Sequence, residues 1–63
     1  MPIANIHILE GRTDEQKARL IQAVTDAIAQ SLDARPEAIR VLVHDVPKTD
    51  WGIGGKTAKA LGR

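Results

Sequence analysis

The chain has 63 residues, with nine basic and eight acidic side chains and no cysteine, which gives a formal net charge of +1. This balance disfavours nucleic-acid binding through bulk charge, and the single aromatic residue, Trp51, leaves no platform for stacked bases. No apolar run approaches the roughly 20 residues that cross a bilayer, and the pattern of a signal peptide is missing, so we expect a cytoplasmic protein without membrane or nucleic-acid partners.

The first predicted element is a strand from Ile3 to Leu9, with apolar residues on both of its faces. A turn at residues 10–12 leads to Thr13, which begins a helix because Thr13-x-x-Gln16 matches a capping box. The helix is predicted to run to about Leu32. Its apolar residues recur every three or four positions and form one stripe: Leu20, Ile21, Val24, Ala27, Ile28 and Leu32.

Pro36 ends the helical region, and a short turn at residues 36–38 leads to a second strand from Ile39 to Val46. The glycine-rich segment at residues 52–55 predicts a tight hairpin or loop. A strand, a long crossover helix and a strand form a βαβ unit with parallel strands and a right-handed crossover. The fold class is therefore α/β (α+β), in a single domain over residues 1–63 that ends in a C-terminal hairpin.

One helix covers only one face of a two-stranded sheet, so the other face and both edges stay open. A chain this short buries roughly 60% of its unfolded surface and lacks disulfides, so we expect oligomerisation to support it. Exposed strand edges also favour pairing with another chain. The sequence therefore predicts an obligate oligomer in which neighbouring chains complete the sheet.

Pro2 is the most informative candidate for chemistry. If Met1 is removed, the chain begins with a secondary amine that can act as a base or a nucleophile, at a pKa that burial and nearby cations pull toward neutrality. If Met1 stays, the nitrogen of Pro2 is an amide without either property. The structural alternative is a proline that opens an edge strand.

Arg12, Arg40 and Trp51 are the other candidates. In a parallel pair, Pro2 and Arg40 lie at the same end of the sheet and Arg12 lies at the opposite end, so neighbouring subunits are needed to bring them together. Each arginine has the alternative of an ordinary surface ion pair, and Trp51 that of a packing anchor.

The remaining titratable groups carry less information. The two histidines, at positions 7 and 44, are interpreted as packed or interface residues, because two histidines without a third ligand make a weak metal site. Nothing in the spacing of Glu10, Asp45 and Asp50 selects any of them as an acid in a site.

Several segments spread over the whole chain form a recognisable set: Pro2-Ile3, the run HILEGR at residues 7–12, DEQK at 14–17, SLDA at 31–34, Arg40-Val41 and GIGG at 52–55. In these segments the chain resembles the 4-oxalocrotonate tautomerase family, also called 2-hydroxymuconate tautomerase, which heads the tautomerase superfamily. The resemblance implies dimers that share a four-stranded sheet and a hexamer built from three dimers.

The resemblance also implies an activity, the conversion of 2-hydroxymuconate to 2-oxo-3-hexenedioate in aromatic-compound catabolism. Pro2 corresponds to the general base and Arg12 to the arginine that binds the distal carboxylate. Arg40 corresponds to the arginine, from a neighbouring subunit, that holds the other carboxylate and the 2-oxo group. The apolar wall of the pocket corresponds to Leu9, Trp51 and Ile53, with tryptophan where the family usually has phenylalanine. This chemistry needs no metal and no cofactor.

Two other functions remain open at this stage. Relatives that hydrate or dehalogenate 3-chloroacrylate use a carboxylate to activate water. This chain has Ile53 at the matching place, which cannot act as a base and therefore disfavours that activity. A catalytically silent oligomeric module is the alternative if Met1 is retained. Some relatives also assemble from two different chains.

Overall fold

The computed structural model describes all residues from Met1 to Arg63. Two longer strands flank a helix, and a small hairpin follows them. In chain order the elements are β1 (Ile3–Leu9), α1 (Asp14–Leu32), a 3₁₀ turn (Pro36–Ala38), β2 (Arg40–Val46), a second 3₁₀ turn (Lys48–Asp50), β3 (Gly52–Ile53) and β4 (Lys56–Thr57). None of the helices is both long and apolar enough to cross a membrane.

Strands β1 and β2 pair in parallel, with Ile3 opposite Arg40 and Leu9 opposite Val46. They form a sheet of two strands, and β3 and β4 form a separate antiparallel pair. The predicted βαβ unit with a C-terminal hairpin is confirmed. Strand β2 begins one residue later than predicted, because the N–H of Ile39 still donates to the carbonyl of Pro36 and closes the preceding turn at 3.1 Å.

Helix α1 begins as its sequence predicts. The N–H of Gln16 donates to Oγ1 of Thr13 at 3.1 Å, and Oε1 of Gln16 accepts from the N–H of Thr13 at 2.9 Å. The two bonds form a reciprocal capping box that satisfies N–H groups at the helix start. At the other end Asp33 adopts a left-handed conformation with φ of 53°, and its N–H donates to the carbonyl of Ala29.

The two faces of the β1–β2 sheet differ in what lies over them. We call the side under α1 the covered face, and it carries Ala4, Ile6, Ile8, Val41, Val43 and Asp45. The opposite side is the open face, and it carries Ile3, Asn5, His7, Leu9, Arg40, Leu42, His44 and Val46. On the open face Ile3 is 61% exposed and Leu42 is 42% exposed.

The protomer has a very small interior, since only Ile39 and Ala58 are buried. Its radius of gyration is 14.5 Å, whereas a compact chain of this length is expected to have roughly 11 Å. Within the apolar stripe of α1, Leu20, Val24 and Ile28 are half-buried, while Ile21 and Leu32 are exposed. The stripe is therefore wider than the two-stranded sheet that it covers.

The C-terminal hairpin turns at Gly54 and Gly55, whose φ angles are +60° and +86°. Two successive positive φ values define a type I′ turn, which explains the paired glycines. The N–H of Ala58 then donates to the carbonyl of Trp51 at 2.7 Å and folds the end of the hairpin back on its start. The glycine-rich segment is thus a hairpin, as predicted.

Candidate active site

The amino end of the sheet holds Pro2 beside Arg40. The N–H of Arg40 donates to the carbonyl of Pro2 at 3.0 Å, which extends the β1–β2 ladder by one bond. Pro2 is half-buried, and the preceding Met1 is 80% exposed. The parallel register therefore brings together these two predicted residues, as their position at the strand starts indicated.

The guanidinium of Arg40 is held by backbone carbonyls rather than by a carboxylate. Its Nη1 donates to the carbonyl of Glu37 at 2.7 Å and to that of Ile39 at 3.3 Å. Arginine carries five N–H donors and always keeps its charge, so donors remain for an anion. The 3₁₀ turn before β2 thus orients a cation that has no acidic partner in the chain.

Arg12 lies at the opposite, carboxyl end of the sheet. The seven residues of β1 span about 23 Å, so Arg12 cannot approach Pro2 of its own protomer. It is exposed and makes no hydrogen bond or ion pair from its side chain. The structure places this second predicted cation in an unpaired state, away from the first.

A groove of about 220 Å³ runs beside Arg12, between the start of α1 and the end of β1. Its lining residues are Ile8, Arg12, Gln16, Lys17 and Leu20. Ile8 and Leu20 supply the apolar part, and the other three side chains all carry N–H donors. No acidic residue lines this groove.

Lys17 connects the helix to the sheet at this place. Its Nζ donates to Oδ2 of Asp45 at 2.6 Å, and Oδ1 of Asp14 lies 3.9 Å away. The hydrogen bond to Asp45 raises the pKa of Lys17 above its ordinary 10.5. Desolvation lowers the pKa by less, and the charges of Asp45 and Asp14 make still smaller raising contributions. The ion pair thus fixes the ammonium in its charged form at the end of the groove.

The predicted apolar wall comes from two parts of the chain. Leu9 ends β1 opposite Val46 and is half-buried. Trp51 follows β2 just before the hairpin and is half-buried, and Ile53 is the last residue of β3 and is 37% exposed. Leu9 therefore lies at the carboxyl end of β1, and Trp51 and Ile53 come after the carboxyl end of β2 in the chain.

Sequence reasoning missed Gln16 and Lys17 as groove residues. The capping-box pattern identifies Gln16 only as part of a helix start, and Lys17 lies outside the apolar stripe of the helix. The pairing of Lys17 with Asp45 bridges 28 positions of the chain, so no local pattern could find it. Glu10 likewise has a structural role, because its Oε1 accepts from the N–H of Lys48 at 2.9 Å.

The two histidines lie directly opposite each other on the open face. The rings of His7 and His44 stack with their centroids 4.8 Å apart, and Nε2 of His44 lies 3.4 Å from Oδ1 of Asn5. No group of three or more histidine, cysteine or acidic side chains is arranged to hold a metal ion.

Comparison with known proteins identifies the class to which this arrangement belongs. The family model described as "Tautomerase enzyme" matches residues 2–61. The chain is 59% identical to a 2-hydroxymuconate tautomerase of Stutzerimonas stutzeri and 54% identical to one of Pseudomonas sp. strain CF600, in both cases over the full length of both chains.

Solved structures agree with the sequence comparison. A 4-oxalocrotonate tautomerase isozyme from Methylibium petroleiphilum superimposes with a TM-score of 0.95 at 55% identity, over 98% of this chain and all of the other. A heterohexamer 4-oxalocrotonate tautomerase from Chloroflexus aurantiacus J-10-fl gives 0.91 at 38% identity, over 97% of this chain and 98% of the other.

The chain belongs to the tautomerase family, and it is an isomerase of the tautomerase type. The resemblance found in the sequence is thereby confirmed.

Proposed function

We propose that the chain assembles into a multi-subunit enzyme that converts 2-hydroxymuconate to 2-oxo-3-hexenedioate, with Pro2 as general base after removal of Met1. The observation that carries this proposal is the state of the two arginines. Neither Arg12 nor Arg40 has an acidic partner, and every ion pair in the chain belongs to Lys17. Two unpaired guanidinium groups suit a substrate with a carboxylate at each end.

The reaction moves one proton. The hydroxyl of the dienol at C2 loses its proton and becomes the 2-oxo group, and a proton is added at C5, next to the distal carboxylate. Pro2 as a free secondary amine accepts the proton of the hydroxyl group and delivers a proton to C5. A base poised near the operating pH accelerates such a step by roughly 10²–10⁴-fold.

Arg40 has the role of holding the proximal carboxylate and the 2-oxo oxygen, where negative charge develops in the dienolate. As the resemblance implies, a neighbouring subunit supplies this arginine to Pro2. Its geometry supports the role, because its Nη1 is fixed by the carbonyl of Glu37 at 2.7 Å. A cation that is oriented before the reaction stabilises developing charge without reorganisation. The same cation disfavours the protonated form of a nearby amine.

Arg12 has the role of binding the distal carboxylate and drawing electron density toward C5. Because it lies about 23 Å from Pro2 along its own β1, a neighbouring subunit must supply it. The apolar wall around the diene is assigned to Leu9, at the end of β1, and to Trp51 and Ile53, which follow β2 in the chain.

The same separation supports self-association, which the proposal takes to be a hexamer built as a trimer of dimers. The solved relative from Chloroflexus aurantiacus J-10-fl is a heterohexamer, and we propose a homohexamer here because one chain carries all the proposed groups. The absence of cysteine suits a reducing compartment, and the proposal places the enzyme in the cytoplasm, within aromatic-compound catabolism.

The test is ultraviolet-monitored turnover of 2-hydroxymuconate by protein whose mass confirms the loss of Met1. Arg40→Gln should lower kcat/KM by about 10²–10³-fold, the loss that follows removal of one donor to a developing oxyanion. Glutamine retains an N–H for the carbonyl of Glu37, so the local fold is kept. Arg35→Gln, at an exposed arginine in the same connection, is the matched control. Wild-type turnover by Arg40→Gln, or by protein that retains Met1, would refute the proposal.

A further inference from the structure

The groove beside Arg12 is lined by two cationic side chains, although a single arginine is enough to bind a carboxylate. Arg12 and Lys17 both line it, and Ile8 and Leu20 form its apolar part. Gln16 adds an amide whose Oε1 is fixed by the N–H of Thr13 at 2.9 Å, which leaves its NH₂ group without a partner. An apolar floor with several N–H donors and no acidic residue suits the end of an apolar chain that terminates in a carboxylate.

Lys17 has donors to spare in this position. An ammonium group has three N–H donors, and Asp45 receives one of them at 2.6 Å. The carboxylate of Asp14 is too distant, at 3.9 Å, to accept a good hydrogen bond. The side chain of Lys17 is 25% exposed, so the ammonium is fixed in place yet still open to the groove.

We propose that Lys17 is a second substrate-binding cation, which shares with Arg12 the terminal carboxylate of an extended unsaturated diacid, and that Asp45 sets how much of its charge the substrate meets. This inference rests on the proposed function, since it assigns a further residue to the same distal subsite. It makes Lys17 a residue that selects diacids over monoacids of the same length.

The alternative role for the Lys17–Asp45 pair is a tie between α1 and β2. The two roles predict opposite effects of the Asp45 substitution on diacid binding. If the pair is only a tie, removing Lys17 breaks the contact and neutralising Asp45 weakens it, so both changes impair the site in the same direction. If Lys17 binds substrate, removing its charge weakens diacid binding, whereas neutralising Asp45 leaves more of that charge for the ligand and strengthens it.

The experiment measures binding of two unreactive hexadienoates by calorimetry, muconate with two carboxylates and sorbate with one. Lys17→Met should weaken muconate binding about tenfold, near the lower limit for a lost hydrogen bond to a charged group. It should change sorbate binding less than twofold. Asp45→Asn should tighten muconate binding by about threefold, because asparagine keeps an acceptor for Lys17 without the negative charge.

Arg19→Met is the matched control, since it removes one positive charge from an exposed position of the same helix and should leave both affinities within twofold of wild type. Turnover of 2-hydroxymuconate by the same variants should follow muconate binding, with KM changed and kcat within twofold.

Two results would overturn the inference. One is equal weakening of muconate and sorbate by Lys17→Met, and the other is weaker muconate binding in both the Lys17 and the Asp45 variants. Because muconate binding needs no turnover, an inactive wild-type enzyme would count against the proposed reaction alone. Normal wild-type turnover with unchanged muconate affinity in Lys17→Met would count against the inference alone.

Discussion

The covered and open faces of the β1–β2 sheet are built from the same two strands, yet they have different surroundings. On the covered face Ile6, Ile8 and Val43 lie under α1 and are half-buried. The one charged residue of that face, Asp45, is neutralised by Lys17 from the helix. The chain therefore supplies its own partner for this face, for both apolar and charged groups.

The open face has no such partner within the chain. Ile3 and Leu42 are exposed at 61% and 42%, beside the stacked rings of His7 and His44. The apolar residues of the open face are not buried in a monomer, because the helix covers only the residues that alternate with them. They indicate contact with another copy of the chain. The covered face thus stabilises the fold of the protomer, and the open face is left for assembly with other copies.

The largest effect is expected from a substitution that disrupts packing on the open face. Leu42→Glu places a charge where another subunit would pack, and burial of an unpaired charge is strongly unfavourable. We expect the assembly to dissociate and kcat/KM to fall by at least about 10²-fold, because Pro2 and Arg12 then have no common site. Light scattering after size exclusion and 2-hydroxymuconate turnover measure the two effects.

The control for that change is Gln30→Glu, which adds the same charge at an exposed position of α1. It should leave both size and turnover close to wild type. Full activity in a monomeric Leu42→Glu protein would show that the open face has no part in forming the site.

Two matched substitutions separate the contributions of the two faces to stability. Ile6→Ala removes a half-buried side chain from the covered face and should lower the free energy of unfolding by about 2 kcal/mol, near the low end for such truncations. Ile3→Ala removes the same atoms from the open face, where only assembly buries them. Denaturant titration at two protein concentrations should find that the loss from Ile3→Ala depends on concentration, as expected for subunit contacts. A loss from Ile3→Ala that ignores concentration would contradict the assignment of the two faces.

Much of this architecture could be predicted from the sequence because its signals are local. The bounds of β1 follow from its run of β-branched residues and those of α1 from the Thr13 capping box. The two glycines of the hairpin follow from a turn that needs positive φ at two positions. The position of Pro2 beside Arg40 required only the parallel direction of the strands.

The rest depends on contacts between distant residues. The groove combines Ile8 of β1 with Leu20 of α1. The Lys17–Asp45 pair forms only if the start of α1 packs beside the end of β2. Ile21 and Leu32 belong to the apolar stripe in sequence, yet they are exposed at 38% and 64%. The apolar surface of a helix about 28 Å long is larger than a sheet of two strands can cover. The periodicity of the sequence does not reveal how wide the sheet is.

A smaller effect is expected at the helix start, which positions α1 over the covered face. Thr13→Ala removes the acceptor for the N–H of Gln16 and should lower the free energy of unfolding by about 1 kcal/mol. Ser31→Ala, near the other end of the helix, removes only a long contact of 3.4 Å to the carbonyl of Ile28 and serves as the control. Equal losses in the two variants, measured by urea titration, would argue against a role for the capping box in stability.

The smallest effect concerns the charged contact on the covered face, and it appears only at alkaline pH. The hydrogen bond and charge of Asp45 raise the pKa of Lys17 above 10.5. A raised pKa in the folded state means that the contribution to stability is complete below the unfolded value and is lost as the pH rises through the folded value. The difference in urea midpoint between wild type and Lys17→Met should therefore stay constant from neutral pH up to pH 10.5 and shrink above it. Lys17→Arg keeps its charge at these pH values, so it should retain the contribution that wild type loses. A wild-type advantage over Lys17→Met that grows with pH would mean that the pair does not stabilise the charged lysine.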